Sequence, residues 1–414
     1  MTTTQKRNSS RVSNKTKKGT VVKAFDPVAR LKRTIRGHFT KLGFTKAQDG
    51  TLVLPGTDKE IIRQLHYGQR KERLLSGAAS TSAALRRVLR CFANGAEIDP
   101  HRISLRLVRV SSHTVEADIF RIAALTWSVP VSAGFGRRLR YLVWDDYHDK
   151  VAGIIALGDP VFNLSVRDYL IGWKVKDRSK RLVNLLDAYV LGAVPPYNML
   201  LGGKAVACLV RSREVFNDFK DMYGNSVGII SGKAKQAKLL AVTTTSSLGR
   251  SSVYNRLRLG EIPYFTPIGF TEGWGHFHIT DKIFDEIREY LRIIQHPYVD
   301  SHQFGEGPNW RFRTIRVALG ELGISESVLR HGIKREVFLC PFGKNALEIL
   351  RSGRGRLDLA DVRTVAEISD LARERWMIPR SVRRSEYRDW CRDEIPNLVY
   401  GRTPDSKVLK EKMG

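Results

Sequence analysis

Hydroxyl groups and one arginine crowd part of the stretch LLAVTTTSSLGRSSVYNRLRLG, residues 239–260. From Thr243 to Ser252 only Thr, Ser, Leu, Gly and Arg occur. An apolar run ends there and a helix is expected to begin. Strand-to-helix corners present backbone N–H groups, and a helix N-terminus adds roughly half a positive charge, a combination suited to an anion. Gly249 permits the turn, and Ser251 or Ser252 caps the expected helix. At 100° per residue Val253, Tyr254 and Leu257 share one side, while Ser251, Asn255 and Arg258 form a polar stripe. Arg250, Ser251, Ser252, Asn255 and Arg258 are therefore the candidate phosphate- or nucleic-acid-binding residues. The competing reading is a polar turn with a good N-cap. No GxxxxGK[ST] loop occurs, so the cradle is not of the Walker type.

Two other constellations could do chemistry. GWGHFHI alternates Trp274, His276 and His278 against Gly273, Gly275, Phe277 and Ile279, the grammar of a strand with an aromatic face. Two histidines at i, i+2 lack a third ligand in sequence, so a packed or base-stacking face is expected and no metal. WDDYHD gathers Asp145, Asp146, His148 and Asp149, residues that could hold a divalent ion. The run falls where a hairpin must turn, and Asp is favoured there for local hydrogen bonding. No GxSxG elbow is present, so no catalytic residue is assigned and no cofactor is expected.

The elements that must position these residues fall into four stretches. Residues 1–24 read as a disordered basic arm. Residues 25–100 read as helices: DPVARLKRTIRGHFTKLGF places Val28, Leu31, Ile35 and Phe39 three and four apart, and a third helix is expected to end at the glycine of STSAALRRVLRCFANG. Residues 101–300 change period and form an α+β core. RISLRLVRV alternates as a strand, and RRLRYLVWDDYHDKVAGIIALGDP is an antiparallel hairpin. VRDYLIGWKVKDRSKRLVNLL is helical in its second half. AYVLGAVPPY is a strand, followed by the turn LLGGK and one helix, AVACLVRSREVFNDFKDMYG. The corner, the strand pair YFTPIGFTEGWGHFHI and the helix DKIFDEIREYLRII complete it. Residues 301–414 form a C-terminal region: the linker SHQFGEGPNW, one strand (IKREVFLCPFG), a basic loop RSGRGR, then helices. No internal repeat is found.

Composition narrows the partners. The chain has 414 residues, 42% hydrophobic and 27% charged, with a net charge of +28 and a pI near 10.2. The first 24 residues carry seven Lys/Arg and no acid, yet most of the excess lies elsewhere. A field of this size favours polyanions, because each neutralised phosphate releases counterions, and nucleic acid is the expected partner. No apolar run approaches the ~20 residues a membrane span needs, and the N-terminus lacks a secretory h-region, so neither membrane nor export is expected. Cys91, Cys208, Cys340 and Cys391 are far apart, without CxxC or CxH pairs, which fits a reduced cytoplasm.

Several phrases together resemble a known family. YLIGW (169–173), RLVNLLDAYVLGAVPP, SLGRSSVYNRLR, GFTEGWGHFHI and REVFLCPFGKNA are similar to the DruA family of the Druantia anti-phage defence systems, over about residues 60–350. The resemblance implies a cytoplasmic antiviral component encoded beside other defence proteins, including a very large helicase-like one. It brings no catalytic residue. The element order also resembles a diverged acyl-CoA N-acyltransferase core, with Gly202, Gly203 and Lys204 at the loop that holds the cofactor pyrophosphate, although the R/QxxGxG/A pattern is absent. The expected fold is thus α+β, an acyltransferase-like mixed sheet between helical N- and C-terminal regions. The expected function is that of a nucleic-acid-engaging component of an antiviral system, acting by recognition. Alternatives are an enzyme that acylates or otherwise modifies nucleic acid or protein, and a mobile-element-associated DNA-processing protein.

Overall fold

Period-two alternation of apolar residues builds one eight-stranded mixed sheet in the computed structural model. The structure describes residues 26–48, 52–54, 56, 58–131, 136–227, 234–301 and 310–401. The expected basic arm and nearly all of the expected linker after residue 300 lie outside them. In chain order the strands are β1 (Thr45–Lys46), β2 (Leu52–Val53), β3 (Leu105–Arg109), β4 (Arg138–Asp145), β5 (Lys150–Gly158), β6 (Leu185–Ala193), β7 (Asn225–Val227), β8 (Ala234–Gln236), β9 (Ala241–Thr245), β10 (Leu257–Leu259), β11 (Ile262–Phe270) and β12 (Glu336–Pro341). β1/β2 and β7/β8 are small separate hairpins, and the large sheet runs β10-β11-β12-β9-β6-β5-β4-β3. All its pairings are antiparallel except β6 with β9. β12, from the C-terminal stretch, is threaded between β9 and β11. The C-terminal stretch thus contributes a strand to the core sheet.

Helices cover both faces. The first nine are α1 (Pro27–Lys41), α2 (Lys59–Ser76), α3 (Ala78–Val88), α4 (Val115–Leu125), α5 (Ser165–Ile171), α6 (Val175–Arg181), α7 (Gly202–Leu209), α8 (Arg213–Tyr223) and α9 (Asp281–Ile293). They are followed by α10 (Tyr298–Ser301), α11 (Trp310–Glu321), α12 (Ala346–Ser352), α13 (Val365–Ala372), α14 (Ile378–Arg383) and α15 (Ile395–Tyr400). On one face Leu139, Tyr141 and Val143 of β4 and Val242 of β9 pack against α7, α8 and α13. On the other, Leu142 and Ile154 meet α3, α4 and α15, while Leu185, Ala241 and Leu339 meet α5 and α12. α1, α9 and α11 form a further helical layer, joined by Leu31, Ile35, Ile287 and Ile315.

Three helical expectations change. The third helix stops at Val88, and Gly95 is no C-cap: it lies in a 3₁₀ turn where an added Cβ would meet the Tyr387 carbonyl oxygen at 1.7 Å. The VRDYLIGWKVKDRSKR segment is helical from its start, divided into α5 and α6 by Gly172 in the left-handed conformation (φ 81°). The helix after LLGGK is two, because Ser212 caps a new one at the Val215 N–H. The WDDYHD run is a hairpin turn as expected, with Asp145 opposite Lys150.

Candidate functional site

The hydroxyl-rich corner forms without a helix. β9 ends at Thr245, Gly249 turns the chain at φ 83°, and residues 252–256 are turns leading to β10. Ser251 does cap: its Oγ accepts from the N–H groups of Val253 (3.2 Å) and Tyr254 (3.3 Å). Arg256 then takes φ 55°, which ends any helical course. Leu257 and Leu259 are buried on either side of exposed Arg258, a period of two. An anion already sits here. The Ser251 N–H donates to the buried Glu336 carboxylate (3.2 Å), and the Glu336 N–H donates to the Gly249 carbonyl (3.1 Å).

The five candidate residues are not gathered into one cradle. Ser252, Asn255, Arg250 and Arg258 are exposed. Arg250 has no hydrogen-bond or ion-pair partner among the described residues, whereas Arg258 donates to the Glu261 carbonyl (2.8 Å). Arg258 sits opposite Pro263 of β11, and Glu336 sits opposite Phe270. At ~3.3 Å per residue the two ends of the corner are roughly 20 Å apart along β11.

What the corner does hold is a plug. β6 and β9 are paired only from Leu185 to Asp187 against Ala241 to Thr243, and their ladder ends there. Beyond that point side chains serve the exposed carbonyls of β6. Thr244 Oγ1 donates to Ala188 O (2.8 Å), and Tyr254 Oη donates to Leu191 O (3.2 Å). The Tyr254 ring packs against Phe265 and Phe338 at 5.3 and 5.4 Å between centroids, and burial pushes its hydroxyl pKa up. Val253 lies 3.9 Å from where a Gly203 Cβ would stand, so it covers the glycine turn. At the last paired position, burial raises the Asp187 carboxyl to about 6, partly offset by the Thr243 hydroxyl, which donates to it at 2.6 Å.

GWGHFHI is a loop and not the expected strand. Only Trp274 makes a β-bridge, to Arg330, and Gly273 takes φ 75°. An added Cβ at Gly273 would lie 2.8 Å from Gly332, so no side chain fits between the two turns. His278 packs beside Phe277 and His276 beside Phe312, and the Phe277 ring centroid lies 4.3 Å from His66 and 4.8 Å from His331. Arg335 lies over the same ring at 5.1 Å and its Nη2 is 3.3 Å from His66 Nε2. Burial holds His66 and His278 down to about 3, and His276 and His331 to about 4. Among the described residues no group of three or more His, Cys, Asp or Glu is placed to hold a metal ion. All four cysteines are free. No described helix is long and apolar enough to cross a membrane.

The family model described as "Druantia protein DruA" matches residues 56–352. The chain is also 55% identical over 371 residues to the Druantia protein DruA of Escherichia coli (strain UMEA 4076-1), covering 90% of this chain and 92% of that one. The chain belongs to the DruA family. Membership makes it a component of a Druantia anti-phage defence system. No solved structure matches it.

The DruA-like phrases mark joints of the fold. In YLIGW, Ile171 and Trp173 are buried, and Trp173 Nε1 donates to Leu350 O (2.7 Å) from 177 residues away in sequence. REVFLCPFGKNA supplies β12 and the start of α12. SLGRSSVYNRLR supplies the Tyr254 plug. The WDDYHD turn is another joint: the wholly buried Asp145 accepts from Ser104 N–H (3.0 Å), Tyr197 Oη (2.8 Å) and His148 Nδ1 (2.6 Å). His148 Nε2 accepts the Asp99 N–H (2.9 Å), so both ring nitrogens serve the fold. Within YLIGW, Tyr169 takes no part in the joint: it is 91% exposed. Sequence spacing does not reveal that exposure, because the i+2 and i+4 neighbours of Tyr169, Ile171 and Trp173, are both buried.

Proposed function

We propose that this DruA-family protein serves its defence system by engaging nucleic acid in the cytoplasm, acting by recognition and alongside the system's other proteins, a large helicase-like one among them. The observation that carries this reading is the net charge of +28, most of it outside the first 24 residues. Arg250 and Arg258 contribute to it as separate surface cations. Electrophoretic or anisotropy titrations test the reading. Affinity should fall by orders of magnitude between roughly 50 and 200 mM salt, as for several phosphate contacts. Removing residues 1–24 should make the salt slope shallower and leave binding intact. Arg250→Ala and Arg258→Ala should each weaken binding only a few-fold and additively, since sites this far apart couple weakly. Absence of binding at low salt overturns the proposal.

A second reading is favoured by topology. One parallel strand pair that parts after three residues, a glycine turn opening the next helix, and a late strand inserted beside β9 together suit a diverged N-acyltransferase core that modifies nucleic acid or protein. Tyr254 and Thr244 occupy the gap where an extended cofactor arm would pair with β6, and Val253 covers Gly203. Saturating acyl-coenzyme A should therefore give no thermal shift, whereas a bound ligand at 100 times its Kd adds about 2.7 kcal/mol. A clear shift would move the protein into the transferase class.

A further inference from the structure

We propose that the exposed side of α5 and α6, together with the 351–356 loop, is a platform for single-stranded nucleic acid. Phosphates would meet Lys174, Lys176, Lys180, Arg354 and Arg356, and a base would stack on Tyr169. This deepens the nucleic-acid reading and rests on it.

Two segments far apart in sequence are locked together here. Trp173 Nε1 donates to Leu350 O, and Arg181 Nη1 donates to the carbonyl of Arg351. Arg351 answers by donating to Ile171 O (3.0 Å) and Leu170 O (3.4 Å), which occupies the carbonyls at the end of α5. Arg181 and Arg351 are thus structural, and their neighbours are left for a ligand. In RSGRGR the glycines do what other residues could not: Gly353 takes φ 75° and Gly355 φ 121°, turning the exposed Arg354 and Arg356 to the surface.

The joined segments 174–181 and 351–356 hold eight Lys/Arg against one acid, Asp177, and Arg181 lies 3.4 Å from that acid. Glu348 and Asp358 flank the loop. The side chains of Lys174, Lys176, Lys180, Arg354 and Arg356 have no ion-pair or hydrogen-bond partner among the described residues. Lysine is depleted in protein–protein interfaces, and unpaired cations at this density match a phosphate backbone.

Apolar exposure selects the single strand. Tyr169 is 91% exposed, Val175 61% and Leu170 38%, all within seven residues of one another. Phe162 lies at the same edge with the Arg178 guanidinium 5.0 Å over its ring. A duplex offers such side chains only its sugar-phosphate wall, whereas an unstacked strand offers the faces of its bases. The platform is also rigid. Arg167, wholly buried, donates to the Val161 and Phe162 carbonyls (2.8 and 2.9 Å) and to Asp168 (2.7 Å), and Arg178 donates to the other Asp168 oxygen (2.7 Å).

The test uses the full chain with a fluorescent oligothymidylate and a duplex of equal length. Tyr169→Ala should weaken oligothymidylate binding roughly 5- to 150-fold, the range for one lost base stack, and leave duplex binding unchanged. Lys176→Ala/Lys180→Ala/Arg354→Ala should lower the single-strand salt slope by about two, at ~0.7 per phosphate contact, with an unchanged melting temperature. If the unaltered protein binds neither oligonucleotide, the nucleic-acid reading itself fails. If it binds and both variants bind equally well, only the platform is wrong. Variants that keep their affinity for nucleic acid but lose phage protection would assign the surface to a protein partner and overturn the proposal.

Discussion

Acidification from pH 7 to pH 5 should destabilise this protein steeply, through its buried histidines. His66, His276, His278 and His331 are held at about 3 to 4 by burial, with Arg335 adding to the effect on His66 and His331 and Arg311 to that on His276. Hydrogen bonding selects the tautomers, and the Val328 carbonyl partly offsets the lowering at His278. His331 Nδ1 accepts the Ile333 N–H (3.2 Å), His66 Nε2 faces the Arg335 guanidinium, and His278 Nε2 donates to Val328 O (2.9 Å). Each folded pKa lies below the unfolded value near 6.5, so the stabilisation is complete above pH 6.5. It is lost progressively as pH falls towards the folded values. Asp187 has the opposite sign: raised to about 6, it takes up a proton in the folded state and regains stability as pH falls from about 6 towards 4. Four imidazoles against one carboxyl give at most about 4 kcal/mol per pH unit near pH 5. Mutual repulsion among the histidines, which the shifts share, lowers that bound. Urea midpoints from pH 7.5 to 5 measure the slope, and His278→Leu should reduce it by about one proton. A flat profile in the unaltered protein would show that these imidazoles do not stay neutral when folded.

Local grammar was readable wherever the partner of a residue lies nearby. The β4–β5 hairpin follows from two alternating runs around WDDYHD, and Asp145 meets His148 only three residues away. β12 was recognisable as a strand, but its place between β9 and β11 was not, because Val337 pairs with Thr245 on one side and Gly269 on the other. The corner was misread for the same reason. Val253, Tyr254 and Leu257 have helical spacing, but the Ser251 N–H finds its acceptor in Glu336, 85 residues on, and Tyr254 is drawn to Leu191 in a different strand. In GWGHFHI the strand alternation is real, but Gly273 and Gly332 approach so closely that the chain leaves the sheet. The basic loop RSGRGR was visible in the sequence, but its spatial neighbour was not. The Trp173–Leu350, Arg181–Arg351 and Arg351–Ile171 contacts, all between residues far apart in sequence, bring it to one surface with 174–181.

Arg167→Ala should be among the most damaging single substitutions in the chain, costing about 3–5 kcal/mol, the range for removing one partner of a buried ion pair. The side chain has no exposed surface, and burial lowers its pKa while Asp168 holds the charge in place. Its guanidinium fork joins three groups that nothing else unites: the Val161 and Phe162 carbonyls and the Asp168 carboxylate. Alanine would strand Asp168 with Arg178 alone and leave two carbonyls without a donor. Arg167→Lys should fail almost as badly, because a single ammonium cannot reproduce the planar fork although it keeps the charge. Arg106→Ala is the control: its ion pair with Asp146 is about half exposed, and pairs of that kind contribute at most about 1 kcal/mol. Thermal or urea denaturation gives the ranking, and a lysine variant as stable as the unaltered protein would show that charge, not the fork, is what Arg167 supplies. The same loss would reach function through geometry. With the Val161 and Phe162 carbonyls no longer tied to α5, and Asp168 left to Arg178 alone, α5 would lose its anchor to the 161–162 segment and Tyr169 its fixed position, so single-strand affinity should fall at temperatures where the rest of the fold is still intact.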